Sequence, residues 1–143
     1  LRYIDKRLWS EEMKVLIVDD SASCRMRVCK ILNGAPEDFH VFQAENGLEA
    51  LSIINKKENF DIILSDINMP EMDGLTLLKV LREDKEYGPL PFVIYSTECS
   101  EELKAIAKDF NASAWLLKPA KPDTILMAIN RITGSLMFLP GNK

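Results

Sequence analysis

Apolar runs of strand length alternate along the chain with segments whose apolar residues recur every three or four positions. The runs fall at residues 14–19, 40–44, 61–66, 91–96 and 114–118, and several, such as VLIV and FVIY, are continuous. Continuous apolar strands suit a parallel sheet covered on both faces by helices, because neither side of such a strand meets water. The first helical segment, residues 23–32, puts Cys24, Val28, Ile31 and Leu32 on one face and stops at Asn33-Gly34, with Pro36 just beyond. Asn46 is placed to cap a second helix carrying Ala50, Leu51 and Ile54, and Asp73 a third carrying Leu77, Leu78 and Leu81. A fourth aligns Leu103, Ile106, Ala107 and Phe110 and ends at Asn111, a residue that tolerates the left-handed conformation of a helix stop. Pro122 opens a fifth, which carries Ile125, Leu126, Ile129 and Ile132. The alternation predicts an α/β domain built on a five-stranded, mainly parallel sheet with helices on both faces.

Length sharpens this to one domain: 143 residues with no repeat and no Gly/Ser-rich linker place it at residues 14–134, with an extension at 1–13 and a tail at 135–143. A content of 47% hydrophobic and 28% charged residues is that of a globular chain rather than a disordered one. No apolar run approaches the roughly 18 residues of a membrane span, and no signal-peptide pattern opens the chain, so the expectation is a cytoplasmic protein without membrane contact. Leu1, Ile4 and Leu8 fall at helical spacing, which suits either the end of a helix from an upstream region or a loose tail. A first residue of Leu rather than Met is consistent with a piece of a longer protein. The apolar Leu136, Met137, Phe138 and Leu139 suit packing on the domain or a partner contact.

Net charge and cysteines narrow the chemistry. A charge of −4 argues against a surface built to neutralise nucleic-acid phosphates. Cys24, Cys29 and Cys99 form no C-x-x-C pair, which suits a reducing compartment and offers no zinc spacing. The single histidine, His40, lies in a strand-like run and reads as structural or surface. Carboxylates, hydroxyls and lysines are left to do any chemistry.

In an open parallel sheet, ligands bind beyond the carboxyl ends of the strands. Those ends carry Asp19 and Asp20, then Asp66, then Ser96 and Thr97, then Lys118. Three carboxylates on one rim repel one another unless a cation joins them. An all-oxygen donor set with room for water points to Mg²⁺, which needs few protein ligands. Beside a divalent ion, one carboxylate can act as a nucleophile toward phosphorus while Lys118 neutralises the phosphoryl oxygens. The stretch Met69-Pro70-Glu71-Met72-Asp73-Gly74 after Asp66 demands a turn over that rim before the next helix.

Four motifs, VLIVDDS (15–21), DIILSDINMPEMDGL (61–75), FVIYST (92–97) and LLKPA (116–120), agree in order and spacing with the receiver domain of two-component response regulators. The sequence closely resembles that family over about residues 14–132, especially its stand-alone chemotaxis type. The resemblance implies a flavodoxin-like (βα)5 fold with strand order 2-1-3-4-5. It implies Asp66 as the phosphoacceptor for a phosphohistidine on a sensor histidine kinase or phosphotransfer protein. By the same resemblance Asp20, Asp66 and the backbone carbonyl of Asn68 hold Mg²⁺ or Mn²⁺, with Asp19 reaching the ion through water. Lys118 pairs with the phosphoryl group, next to a cis bond to Pro119, and Ser96 is the switch hydroxyl. The aromatic switch position, usually Tyr or Phe, is Trp115, whose larger ring needs more room to turn inward. Thr97 stands where a smaller residue is common, so Asn68, Thr97 and Glu98 are expected to modulate loss of the phosphoryl group.

The expected function is a phosphorylation-dependent signalling switch, not a dedicated enzyme, whose face around residues 98–122 meets a downstream protein partner. The alternative is a docking module that is never phosphorylated, which would have no need of three repelling carboxylates. A phosphatase with an Asp nucleophile generally carries a second Asp two residues on, where this chain has Asn68.

Overall fold

The computed structural model describes residues 12–56 and 59–134, so the extension before Glu12 and the tail after Gly134 lie outside the described residues. The described residues form β1 (Met13–Val18), α1 (Ala22–Asn33), β2 (Phe39–Ala44), α2 (Gly47–Asn55), β3 (Ile62–Ser65), α3 (Gly74–Arg82), β4 (Phe92–Ser96), α4 (Glu101–Asp109), β5 (Ala114–Leu117) and α5 (Pro122–Thr133). The strands are parallel and ordered β2-β1-β3-β4-β5, as expected. None of the described helices is long and apolar enough to cross a membrane.

Alternation along the strands sends neighbouring side chains to opposite faces. Leu16 and Val18 of β1 join Ile54, Ile63, Leu77, Leu78, Leu81 and Ile94 in one core layer under α2, α3 and α4. Val15 and Ile17 join Val28, Leu32, Leu64, Val93, Ile125 and Ile129 in a second layer under α1 and α5. Every residue of β3 and β4 is buried, which is why those runs lack polar alternation.

Side-chain caps fix where helices begin, and therefore how far each loop reaches over the sheet. Ser21 accepts from Cys24 N–H, Asn46 from Glu49 N–H, Asp73 from Thr76 N–H and Ser100 from Leu103 N–H. Asn111 has φ of 59°, the left-handed conformation expected at that helix stop. The Lys118–Pro119 peptide is cis.

Two expectations needed adjustment. Strands 1, 3 and 5 end at Val18, Ser65 and Leu117, one residue earlier than the apolar runs suggest, so Asp19, Asp66 and Lys118 stand just past the ladder. In α4 only Ala107 is buried and Ile106 is 37% exposed, although both share a face with Leu103 and Phe110. The helix lies near the sheet margin, where the edge strand β5 offers only half-buried cover.

Candidate functional site

Strand order reverses between β1, which is followed in sequence by a crossover to β2 on one side, and β3, which lies on its other side. A crevice opens at such a point because the flanking connections leave in opposite directions. The loops after β1 and β3 bring Asp19, Asp20 and Asp66 there, with one carboxylate oxygen from each within 4.8 Å of the others. Asp19 is buried, Asp66 half-buried and Asp20 exposed.

Local backbone geometry holds these carboxylates. Asp19 Oδ1 accepts from Ser21 N–H at 2.9 Å, and Asp66 Oδ1 accepts from Ile67 N–H at 2.7 Å. Gly74, at the start of α3, packs against the loop so closely that a Cβ would lie 2.0 Å from the Asp66 carbonyl oxygen. Any side chain at that position would push the Asp66 backbone out of place, which explains the glycine in MPEMDG.

Lys118 reaches across from β5. Its Nζ donates to Asp19 Oδ2 at 2.6 Å and to Asp66 Oδ2 at 2.8 Å, with the side chain 10% exposed. Burial opposes the charge on the ammonium, but hydrogen bonding and attraction to Asp19 and Asp66 outweigh it and hold Lys118 above its usual range. Three carboxylates against one ammonium formally leave two negative charges, and the free donors are all hard oxygens. That set fits a small divalent cation such as Mg²⁺, with exposed Asp20 open to it.

Ser96 is fully buried at the end of β4, and its Oγ accepts from Glu98 N–H at 3.1 Å. Asn68 Nδ2 donates to Glu98 Oε2 at 2.7 Å, linking the loops after β3 and β4, while Thr97 is exposed beside them. Trp115 is half-buried, and its indole N–H donates to the Glu98 carbonyl at 3.1 Å. Asp19, Asp20, Asp66 and Lys118 thus form one cluster, and Ser96, Glu98, Asn68 and Trp115 form a second, connected chain of contacts.

Sequence reasoning missed Arg25, Arg27 and Tyr95. Arg25 donates to the Asp19 carbonyl at 2.6 Å and to Gln43 Oε1 at 2.9 Å. Arg27 and Tyr95 meet across 68 positions of sequence. An arginine on an exposed helix turn and an aromatic in a buried strand carry no shared pattern that would pair them.

A doubly wound parallel α/β domain with an acidic crevice facing a lysine is the architecture of a phosphoryl-accepting switch. The profile of the response regulator receiver domain family matches residues 15–130, and the chain belongs to that family. A chemotaxis protein CheY homolog from Campylobacter jejuni is 32% identical over 123 residues, covering 86% of this chain and 94% of that protein. The structure of chemotaxis protein CheY4 from Vibrio cholerae is similar with a TM-score of 0.77 and 38% identity, covering 85% of this chain and 99% of that one. The receiver domain of Francisella response regulator 1452 is similar with a TM-score of 0.74 and 31% identity, covering 86% and 98%. Receiver domains of this kind are signalling switches that accept a phosphoryl group, not dedicated enzymes.

Proposed function

We propose that Asp66 accepts a phosphoryl group from a phosphohistidine of a cytoplasmic sensor histidine kinase or phosphotransfer protein. The phosphorylated domain then changes its affinity for a downstream protein through the face around residues 98–122. The meeting of Asp19, Asp20 and Asp66 with Lys118 2.6 Å and 2.8 Å from two of them is what most supports this reading.

Ile67 N–H holds one Asp66 oxygen and so sets the plane of the carboxylate. The other oxygen, facing Lys118, attacks phosphorus; the bond from phosphorus to the donor imidazole breaks, and the imidazole takes that electron pair and leaves neutral, keeping the proton already on its other ring nitrogen. Lys118 then turns from its carboxylate partners to neutralise a phosphoryl oxygen, while Ser96 donates its hydroxyl proton to another. Asp20, Asp66 and the backbone carbonyl of Asn68 would hold Mg²⁺ or Mn²⁺, with Asp19 acting through water. When bound, the ion supplies positive charge against the oxygens of the transferring group.

Intact mass after incubation with Mg²⁺ and acetyl phosphate tests the assignment. A single phosphoryl adduct is expected, absent with chelator and absent in Asp66→Ala; an adduct surviving in Asp66→Ala would move the acceptor elsewhere. Loss of the adduct is modulated by the Asn68–Glu98 bridge, which links the loops after β3 and β4, and by Thr97, exposed in the second of these loops. Thr97→Ala, by widening the approach of water, should speed acyl phosphate decay severalfold, and an unchanged decay rate removes Thr97 from this role.

A further inference from the structure

Behind Lys118, three elements distant in sequence meet at one backbone unit. Arg27, exposed on α1, donates through Nη2 to the Ala120 carbonyl at 2.8 Å and through Nη1 to the Tyr95 hydroxyl at 3.2 Å. The same hydroxyl accepts from Ala120 N–H at 3.1 Å. Both polar backbone groups of Ala120 are thereby held, the N–H by Tyr95 of β4 and the carbonyl by Arg27 of α1, and the two holders are themselves bonded to each other. Ala120 stands two residues after Lys118, and Tyr95 directly precedes Ser96. The Tyr95 ring lies beneath the Lys118 ammonium, with Nζ 5.6 Å from the ring centroid.

A tyrosine is not what packing alone asks for at position 95. Its neighbours in the second core layer include Val93, Ile125 and Ile129, and the residue is only 5% exposed. A hydroxyl in such surroundings is costly unless it is hydrogen-bonded, and here two donors converge on it. Lysine, meanwhile, has four rotatable bonds and loses much entropy when its ammonium must reach two carboxylates at once. The backbone of Lys118 is anchored by its N–H to the Ser96 carbonyl at 2.8 Å, but beyond it the chain leaves the sheet. From there the Ala120 contacts hold its direction.

We propose that Arg27 and Tyr95 are positioning residues for Lys118: they clamp the Ala120 backbone and present the Tyr95 ring, so that the ammonium is delivered to Asp19 and Asp66. This rests on the reading of Asp66 as phosphoryl acceptor, since positioning matters only if Lys118 serves the transfer.

Tyr95→Phe keeps the ring and the packing but removes the acceptor for Ala120 N–H and for Arg27. Arg27→Met, at an exposed position, is a second variant that does not disturb the core. With acetyl phosphate and Mg²⁺, Tyr95→Phe should form the adduct about fivefold more slowly, the effect expected for losing a hydrogen bond of ordinary strength. Arg27→Met should slow it in the same direction. The readout specific to positioning is proton NMR of Lys118. Its ε-methylene protons should be inequivalent in the unaltered protein, where the side chain is held, and should merge in both variants. Parent adduct rates in both variants, or ε-methylene signals that stay separate, would overturn the proposal. Failure of the underlying reading is distinguishable, because it would appear as an adduct retained in Asp66→Ala with the Tyr95 and Arg27 side chains intact.

Discussion

Lys118 shows how one side chain balances opposing effects. Burial disfavours its charge, yet two carboxylate oxygens within 2.8 Å more than compensate and raise its pKa above the ordinary 10.5. Because the folded value exceeds the unfolded one, the stabilisation from this pairing is complete below the unfolded value. It is lost only as pH rises through the raised folded value. Lys118→Met leaves Asp19 and Asp66 facing each other without their ammonium, and should cost about 2 kcal/mol in metal-free buffer, below the roughly 3–5 kcal/mol of a fully buried pair because Asp66 is only half-buried. The loss should be flat from about pH 6 to pH 9, where the lysine stays charged in both states. Urea denaturation across that range checks it; a penalty that shrinks toward pH 9 would contradict the raised pKa. The three carboxylates and this lysine could be placed on one rim from strand ends alone. That Lys118 bridges Asp19 and Asp66 directly could not, because rotamer choice depends on what surrounds the side chain.

Between elements, Arg82 at the end of α3 does the most joining. Its guanidinium donates to the carbonyls of Gly88 at 2.8 Å, Leu90 at 2.7 Å, Phe110 at 3.1 Å and Asn111 at 2.9 Å. These carbonyls belong to the loop before β4 and the turn before β5, so one side chain fixes how both strands enter the sheet. Arg82→Ala should lose about 2–3 kcal/mol, since several half-buried carbonyls would go unpaired. Arg82→Lys should recover less than half of that, because a single ammonium cannot span the fork. Thermal denaturation of the two variants decides this, and full recovery by lysine would show that charge rather than geometry matters. Nothing in the sequence marks Arg82, whose last-turn position looks like an ordinary basic residue complementing a helix end. The caps at Asn46 and Asp73 were legible because they act within a few residues of themselves.

At the scale of the whole molecule, a chain of contacts runs from Ser96, at the end of β4, to the half-buried Trp115 of β5. Ser96 Oγ accepts from Glu98 N–H, and the Glu98 carbonyl accepts from the Trp115 indole. A Ser96 hydroxyl drawn to a phosphoryl oxygen would release Glu98 N–H and reset the loop that holds Trp115. A full reversal of such a two-state element needs on the order of 5.5 kcal/mol of differential stabilisation, so several charge-assisted contacts must act together. Adding fluoroberyllate with Mg²⁺ to a Trp9→Phe variant should therefore change Trp115 emission. Unaltered emission would mean that the indole keeps its bond to Glu98 and that signalling does not pass through this ring.

Periodicity, caps and the residues at strand ends were enough to determine the α/β class, the starts of α2, α3 and α5 and the placing of Asp19, Asp20, Asp66, Ser96 and Lys118 at strand ends, because these depend on short-range geometry repeated along the chain. The resemblance added the strand order, which the structure bears out. Only the tertiary structure decided which of those groups touch, that Ser96 is engaged by Glu98, that α4 lies shallow at the sheet margin, and that Arg27 and Tyr95 close on Ala120. Each of these rests on contacts between residues far apart in sequence, whose distances are set by how the layers pack and leave no period in the chain.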